Sequence, residues 1–283
     1  MAWNKPFLRT LAATVWMWAA TVTATAQISL SPTIVFLPEA EPIGRLTLRN
    51  TGTMPQEVSL APIFGYPISD ADGRLRIEYE DSVTEAASSL IPHLRVYPRR
   101  FVLEPGGLQN VRLEVSGLEE RPHGLYWTRL HITTSEVTPD VETSVQDGIG
   151  TRVSYRVRQD IGVHYLHGEV RTELDVSSVE AEKTEGDGRT DLVMHMRMTS
   201  GGNSPYIGSL QVRLVDSAGA LVRTGEWLFS VYGERYWPQG LDVTGLPTGR
   251  YRLDMIFQTQ RGDVASANLP NSQPLVRTLT LEL

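Results

Sequence analysis

The chain has 283 residues, 41% of them hydrophobic and 21% charged, with 26 Lys and Arg against 33 Asp and Glu for a formal net charge of −7. That is enough apolar material for one large core or two ordinary ones, and the acidic balance leaves no broad nucleic-acid footprint. Cysteine is absent, which removes disulfide scaffolds, thiolate metal sites and thiol nucleophiles. The six histidines are scattered.

Lys5 and Arg9 give the chain a positive start, and Leu11 to Val22 is an almost unbroken apolar run. Ala24-Thr25-Ala26 then offers a small-x-small cleavage site before Gln27. This order predicts a secretory signal peptide over residues 1–26. The run is shorter than the roughly 20 residues a membrane span needs. Cleavage removes two cations and no anion, so the exported chain is still more acidic, and without cysteine it holds together by packing alone.

Beyond the leader the apolar pattern has a period of two, with no long stretch of helical periodicity. Expected strands are Arg45–Arg49, Gln56–Pro62, Leu75–Tyr79, Leu94–Tyr97, Val111–Val115 and Tyr126–Thr133. Turn signals separate them at Asn50-Thr51-Gly52, Asp72-Gly73 and Pro105-Gly106-Gly107. Short strands at this spacing suggest a β-sandwich. A polar linker is expected from Thr134 to Gly150.

Thr151 to Leu166 is the most regular segment. Val153, Tyr155, Val157, Ile161, Val163 and Tyr165 point one way, interrupted only by Gln159, while Arg152, Arg156, Arg158, Asp160, Gly162 and His164 point the other. At about 3.3 Å per residue the strand would run roughly 50 Å, longer than one sandwich covers. Half of it can complete its own core while the other half offers apolar side chains elsewhere. After Gly168 the pattern restarts, with strands expected at Leu192–Met198, Ser209–Val215, Ala220–Arg223, Arg250–Phe257 and Leu275–Leu283 and a hairpin tip at Glu182–Gly188. The expected division is residues 1–26, 27–167 and 168–283.

Four stretches resemble the PapD-like periplasmic chaperones of pilus and fimbrial assembly. ISLSPTIVFLP followed by RLTLRNTG is similar to the family's first two strands. LRVYPRRFVLEPGGLQNVRLEV resembles its most distinctive segment, GLYWTRLHI the next strand, and TRVSYRVRQDIGVHYLHG its long final strand. Arg99-Arg100 and the alternation of that final strand lean toward the family's archaic or alternative branches. The resemblance implies two immunoglobulin-like β-sandwiches set as a boomerang, and a final strand that lends side chains to an incomplete pilin-type subunit. It also implies a periplasmic location and an outer-membrane usher as second partner. On this reading Val153, Tyr155, Val157 and Ile161 form the donated set. Strand addition of this kind satisfies the subunit's open backbone edge and fills its groove.

One departure stands out. The family's basic pair that holds the subunit's terminal carboxylate falls on Ile34 and Gly162 here, and neither carries charge. Arg158, His164, Arg99 and Arg100 are the candidate substitutes. The departure leaves room for an alternative, an exported structural or adhesive immunoglobulin-like protein without chaperone activity.

Other motifs read as structure. Leu192, Met194, Met196 and Met198 share one strand face with His195 turned away, a core stripe rather than a copper site. Arg261-Gly262-Asp263 reads as a turn, and Asp70 and Asp72 lack the ligand spacing of a calcium loop. Tyr232, Tyr236 and Trp237 read as packing ahead of a glycan platform. Hydrolase and phosphate-loop motifs are missing, so neither enzyme activity, metal nor cofactor is expected.

Overall fold

The computed structural model describes residues 28–79, 87–137 and 155–283; the expected leader, most of the polar linker and Val153 lie outside them. In chain order the first part runs β1 (Ile28–Ser31), β2 (Ile34–Pro38), β3 (Ile43–Asn50), β4 (Gln56–Ile63), β5 (Gly65–Ser69), β6 (Leu75–Tyr79), β7 (Leu94–Tyr97), β8 (Arg100–Leu103), β9 (Leu108–Val115), β10 (Gly124–Glu136) and β11 (Arg156–His167). One sheet has the order β1-β3-β9-β7 and the facing sheet β2-β11-β10-β4-β8. At two places a strand passes directly from one sheet to the other across a proline, between β1 and β2 at Pro32 and between β7 and β8 at Pro98. Proline has no N–H to continue a ladder, so a strand is readily interrupted there.

Alternation decides which side chains meet between the sheets. Leu46, Leu48, Val111 and Leu113 of the first sheet are fully buried with Val58, Leu130, Ile132 and Val163 of the second. At the end of β3, Asn50 is buried; its Nδ2 donates to the carbonyls of Met54 (2.8 Å) and Leu103 (2.9 Å), and its Oδ1 accepts from Gly52 N–H at 2.9 Å. The asparagine therefore closes the turn after β3 and ties it to β8.

The second part runs β12 (Thr172–Gly186), β13 (Arg189–Gly202), β14 (Tyr206–Asp216), β15 (Leu221–Val231), β16 (Glu234–Asp242), β17 (Arg250–Gln258) and β18 (Leu275–Glu282). Its sheets are β12-β13-β16 and β15-β14-β17-β18. Leu192, Met194, Met196 and Met198 lie in the core between them with Leu210, Leu253 and Phe257. The methionine stripe is packing.

Both sandwiches are immunoglobulin-like. In the first, strands one, two, five and four face strands three, six and seven, with the first strand divided between the sheets; in the second, strands one, two and five face strands four, three, six and seven. Each sandwich also carries a tyrosine corner. Tyr126 Oη donates to Pro122 O at 2.8 Å and Tyr251 Oη to Pro247 O at 2.7 Å, each across a Pro-x-Gly-x-Tyr segment before the sixth strand.

Three features differ from the sequence expectation. Thr134 to Glu136 extend β10 rather than open a linker, because Thr134 faces inward and is buried. β12 spans 15 residues with a bulge between Val176 and Ser178. β16 was hidden by Pro238 and Gly240, yet it pairs with β13 from Glu234 to Asp242.

At the junction β11 ends at His167, and Gly168 turns with φ +60°. A Cβ there would run into the His123 ring. Phe36, Leu125, Ile207 and Leu269 form a separate apolar cluster drawn from both parts. The β5–β6 hairpin belongs to neither sandwich. It straps the two together: Tyr236 N–H donates to Ser69 Oγ at 2.9 Å, Tyr66 stacks on Tyr232 at 6.3 Å, and Gly73 lies against Pro238.

Candidate partner-binding site

β11 is paired unevenly. On one side β10 follows it throughout, from Arg156 opposite Ser135 to His167 opposite Gly124. On the other side β2 runs parallel to it only from Gly162 to Leu166. Arg156 to Ile161 therefore have no strand on that side among the described residues. Their outward N–H and C=O groups form an open edge, which invites another strand.

The side chains of this half are uncovered too. Val157 lies opposite Thr134, and Thr134 opposite Val58, so Val157 continues the inner face of the sheet. Yet Val157 is 48% exposed and Tyr155, two residues before it, 72%. The same alternation carries Gln159, half-buried, and then Ile161. Ile161 corrects the expected set: it is 3% exposed and belongs to the first core with Val163 and Tyr165. Its side chain opposes buried Leu130, so it is already committed at home. The free apolar pair among the described residues is Tyr155 and Val157; Val153 falls outside them.

On the outer face of this strand Asp160 is held by two partners. Tyr79 Oη donates to its Oδ2, and His131 Nδ1 bonds its Oδ1. Tyr79 also meets the His131 ring edge-on at 5.2 Å. Burial, joined by the Asp160 bond and charge, raises the Tyr79 pKa, so the phenol stays protonated and keeps donating. The hairpin thereby clamps the outer face of β11 where the strand leaves its core.

Of the candidate carboxylate anchors, His164 is corrected. It is buried, stacked on Phe36 at 4.6 Å, and its Nε2 is 2.8 Å from Tyr232 Oη. Burial first, then the Arg129 charge, pushes its pKa down to about 3. A ring neutral at ordinary pH and covered by both sandwiches offers no cation to a carboxylate. Arg99 and Arg100 are exposed, but Arg100 sits on β8, separated from β11 by β4 and β10. Arg158 is exposed on the outer face of the free half of β11, opposite Thr133.

A different arginine lies where the uncharged pair sits. Ile34, Gly162, Arg129 and Ile63 form one row across β2, β11, β10 and β4. The Arg129 Nε is buried and has no hydrogen-bond partner among the described residues. Its charge reaches His164 and Tyr232, as does that of Arg261, but Arg261 is already bidentate to Asp263 at 2.6 and 2.8 Å. A desolvated guanidinium nitrogen without an acceptor is costly, and an anion would relieve it. Sequence reading missed Arg129 because only the strand register sets it beside Gly162.

The remaining motifs take structural places. His195 bonds Tyr236 Oη (2.6 Å) and Glu182 (3.1 Å) on the outer face of its sheet. Trp237 is buried in the second core and Tyr232 between the sandwiches, so they make no open platform with Tyr236. Asp70 Oδ1 accepts from the N–H groups of Asp72 and Arg74 within a turn. Among the described residues no cluster of His, Asp and Glu is arranged to hold a metal ion, and no helix is long and apolar enough to cross a membrane.

Comparison with known proteins gives matches among solved structures. No family model and no curated protein matches the chain. Several of the similar structures are fimbrial chaperones. The class 5 fimbriae chaperone CfaA is 12% identical, with a TM-score of 0.43 over 89% of this chain and 98% of that one. The complex of CsuC with the tip adhesion subunit CsuE, from the archaic chaperone-usher Csu pili of Acinetobacter baumannii, gives 10% and 0.43 over the same shares. The Pseudomonas aeruginosa CupB2 chaperone gives 12% and 0.40 over 90% of this chain and 100% of that one. Superpositions this loose do not carry the fold, which stands on strand order, register and the two tyrosine corners.

Proposed function

We propose that this chain is a periplasmic assembly chaperone that captures pilin-type subunits of a surface fibre by lending them the free half of β11. The observation that carries the reading is the coincidence, on one segment, of a backbone edge with no partner strand among the described residues and two uncovered apolar side chains, Val157 on the inner face and Tyr155 two residues before it. Backbone pairing supplies affinity in this mode, and alternate side chains entering a groove supply fit. Each such side chain, when buried, contributes about 1.5–3 kcal/mol before ordering costs. The process needs no bond-making chemistry, nucleotide or metal. On this reading the incoming subunit's terminal carboxylate meets Arg129, in place of a charge on Ile34 or Gly162, and an outer-membrane usher takes over the loaded complex.

Co-expression with a small secreted β-rich protein encoded nearby tests this. The Tyr155→Asp/Val157→Asp variant is expected to fold normally and to leave the subunit to degradation. Normal accumulation of the subunit with this variant overturns strand lending. A second reading, an exported structural or adhesive protein of the same fold, is favoured by one observation, the uncharged Ile34–Gly162 pair. It predicts that no subunit co-purifies with the unaltered chain.

A further inference from the structure

The outer face of the sheet β1-β3-β9-β7 lies on the other side of the first sandwich from the lent strand. Residues that alternate with the core positions Leu46, Leu48, Val111, Leu113, Leu94 and Val96 form this face. Among them Arg45 is directly opposite Arg112, and Arg112 is directly opposite Tyr97. Arg49 and Arg95 lie on the same face, and all four arginines are exposed. Among the described residues of this face Glu114 is the one acid; it lies opposite Arg95 and bonds Arg112 at 3.2 Å. Like charges directly opposite across a ladder destabilise a sheet, and this chain keeps them although it is acidic overall. The face is also apolar in patches. Tyr97 is 77% exposed, with Leu108 opposite Arg49 and Ile43 opposite Glu114 uncovered as well. Arginine with exposed aromatic and aliphatic side chains is the composition of a protein interface.

We infer that this face docks an acidic patch of a second folded protein, independently of the strand site. Charge complementarity selects the partner: Arg45, Arg49 and Arg95, which form no ion pair among the described residues, attract carboxylates, and Tyr97 gives the contact a dry centre. Arg99 and Arg100, which follow Tyr97 where the chain crosses to the other sheet, extend the same positive rim.

The test uses three probes: poly-L-glutamate, a glutamate–tyrosine copolymer, and vesicles of phosphatidylglycerol. The copolymer is expected to bind more tightly than poly-L-glutamate, and more weakly as salt rises from about 0.05 to 0.15 M. Arg45→Ser/Arg49→Ser/Arg95→Ser should weaken binding about tenfold or more, and Tyr97→Ser should erase the copolymer's advantage. Tyr155→Asp/Val157→Asp should bind the copolymer unchanged, which keeps a failure of strand lending distinct from a failure here. The triple variant should melt no lower than the parent, since it removes the Arg45–Arg112 repulsion. Equal binding by the triple variant, an unaltered affinity with Tyr97→Ser, or binding to vesicles but to neither polypeptide overturns the inference.

Discussion

Ile34 and Gly162 lie side by side in the parallel pairing of β2 with β11, and a Cβ on Gly162 would stand 3.6 Å from Ile34 Cγ1 and 2.8 Å from His164 Cε1. Both are uncharged, although the resemblance implies a basic pair at these two positions. The space a longer side chain would fill is taken by the His164 ring, which in turn joins Phe36 and Tyr232 between the sandwiches. The junction is closed by packing.

Restoring a lysine at this position should therefore fail to restore an anchor. Gly162→Lys must displace the His164 ring from Phe36, and overpacking of this kind costs about 1–3 kcal/mol. Gly162→Ala meets the same ring with a single methyl and should show a smaller loss. Urea unfolding of both variants measures it. A Gly162→Lys variant as stable as the parent would show that the ring moves freely.

The two halves of β11 should respond oppositely to truncation. Ile161→Ala removes a buried side chain from the first core and is expected to cost about 2–4 kcal/mol. Val157→Ala, half exposed, should cost well under 1 kcal/mol while weakening partner capture. Thermal unfolding read beside co-purification separates the two effects.

His164 should leave a signature in stability against pH. Its folded pKa of about 3 lies below the ordinary value of about 6.5, so below that value the unfolded chain takes up a proton that the folded chain refuses. Stability contributed by the neutral ring is full above about pH 6.5 and declines by about 1.4 kcal/mol per unit as pH falls toward 3. Arg129 and Arg261 lower the pKa alongside burial. His164→Gln cannot take up the proton in either state and should show a shallower decline between pH 6 and 4 in urea melts. Parallel curves for variant and parent would contradict the buried, neutral assignment.

Asn50→Ala should be costly for a single small side chain. It strands the carbonyl of Leu103 in a buried place and breaks two half-buried bonds, to the Met54 carbonyl and from the Gly52 N–H, and each unsatisfied buried group costs about 1–3 kcal/mol. The expected loss is about 2–4 kcal/mol in total, and Asn50→Asp, which keeps only the acceptor, should fall between. Denaturant midpoints test the order.

Much of this architecture is legible in the sequence because period-two patterning survives tertiary packing. The methionine stripe, the strand at Leu75–Tyr79 and the inward set Ile161–Tyr165 all fall where alternation puts them. What escapes is pairing. Nothing local says that β2 stops covering β11 at Gly162, that Arg129 shares its row, or that Tyr79 reaches Asp160 from a hairpin 81 residues away. Polar alternation also misleads: His164 occupies an outward position that the second sandwich covers, so it is buried although its neighbours suggest solvent. The paired Pro-x-Gly-x-Tyr segments at Pro122–Tyr126 and Pro247–Tyr251 were readable as a repeat of the tyrosine corner, and they mark the sixth strand of each sandwich.

Photo-crosslinking in cells tests most directly whether the free half of β11 meets another protein's strand. A crosslinking residue placed at position 157 and, as a control, at exposed Val102 on β8 would be followed by mass spectrometry of the adducts. Position 157 should capture a small secreted β-rich subunit through its hydrophobic groove, with position 102 giving none. Adducts absent at 157, or the same adducts at both positions, would contradict the lending of this strand.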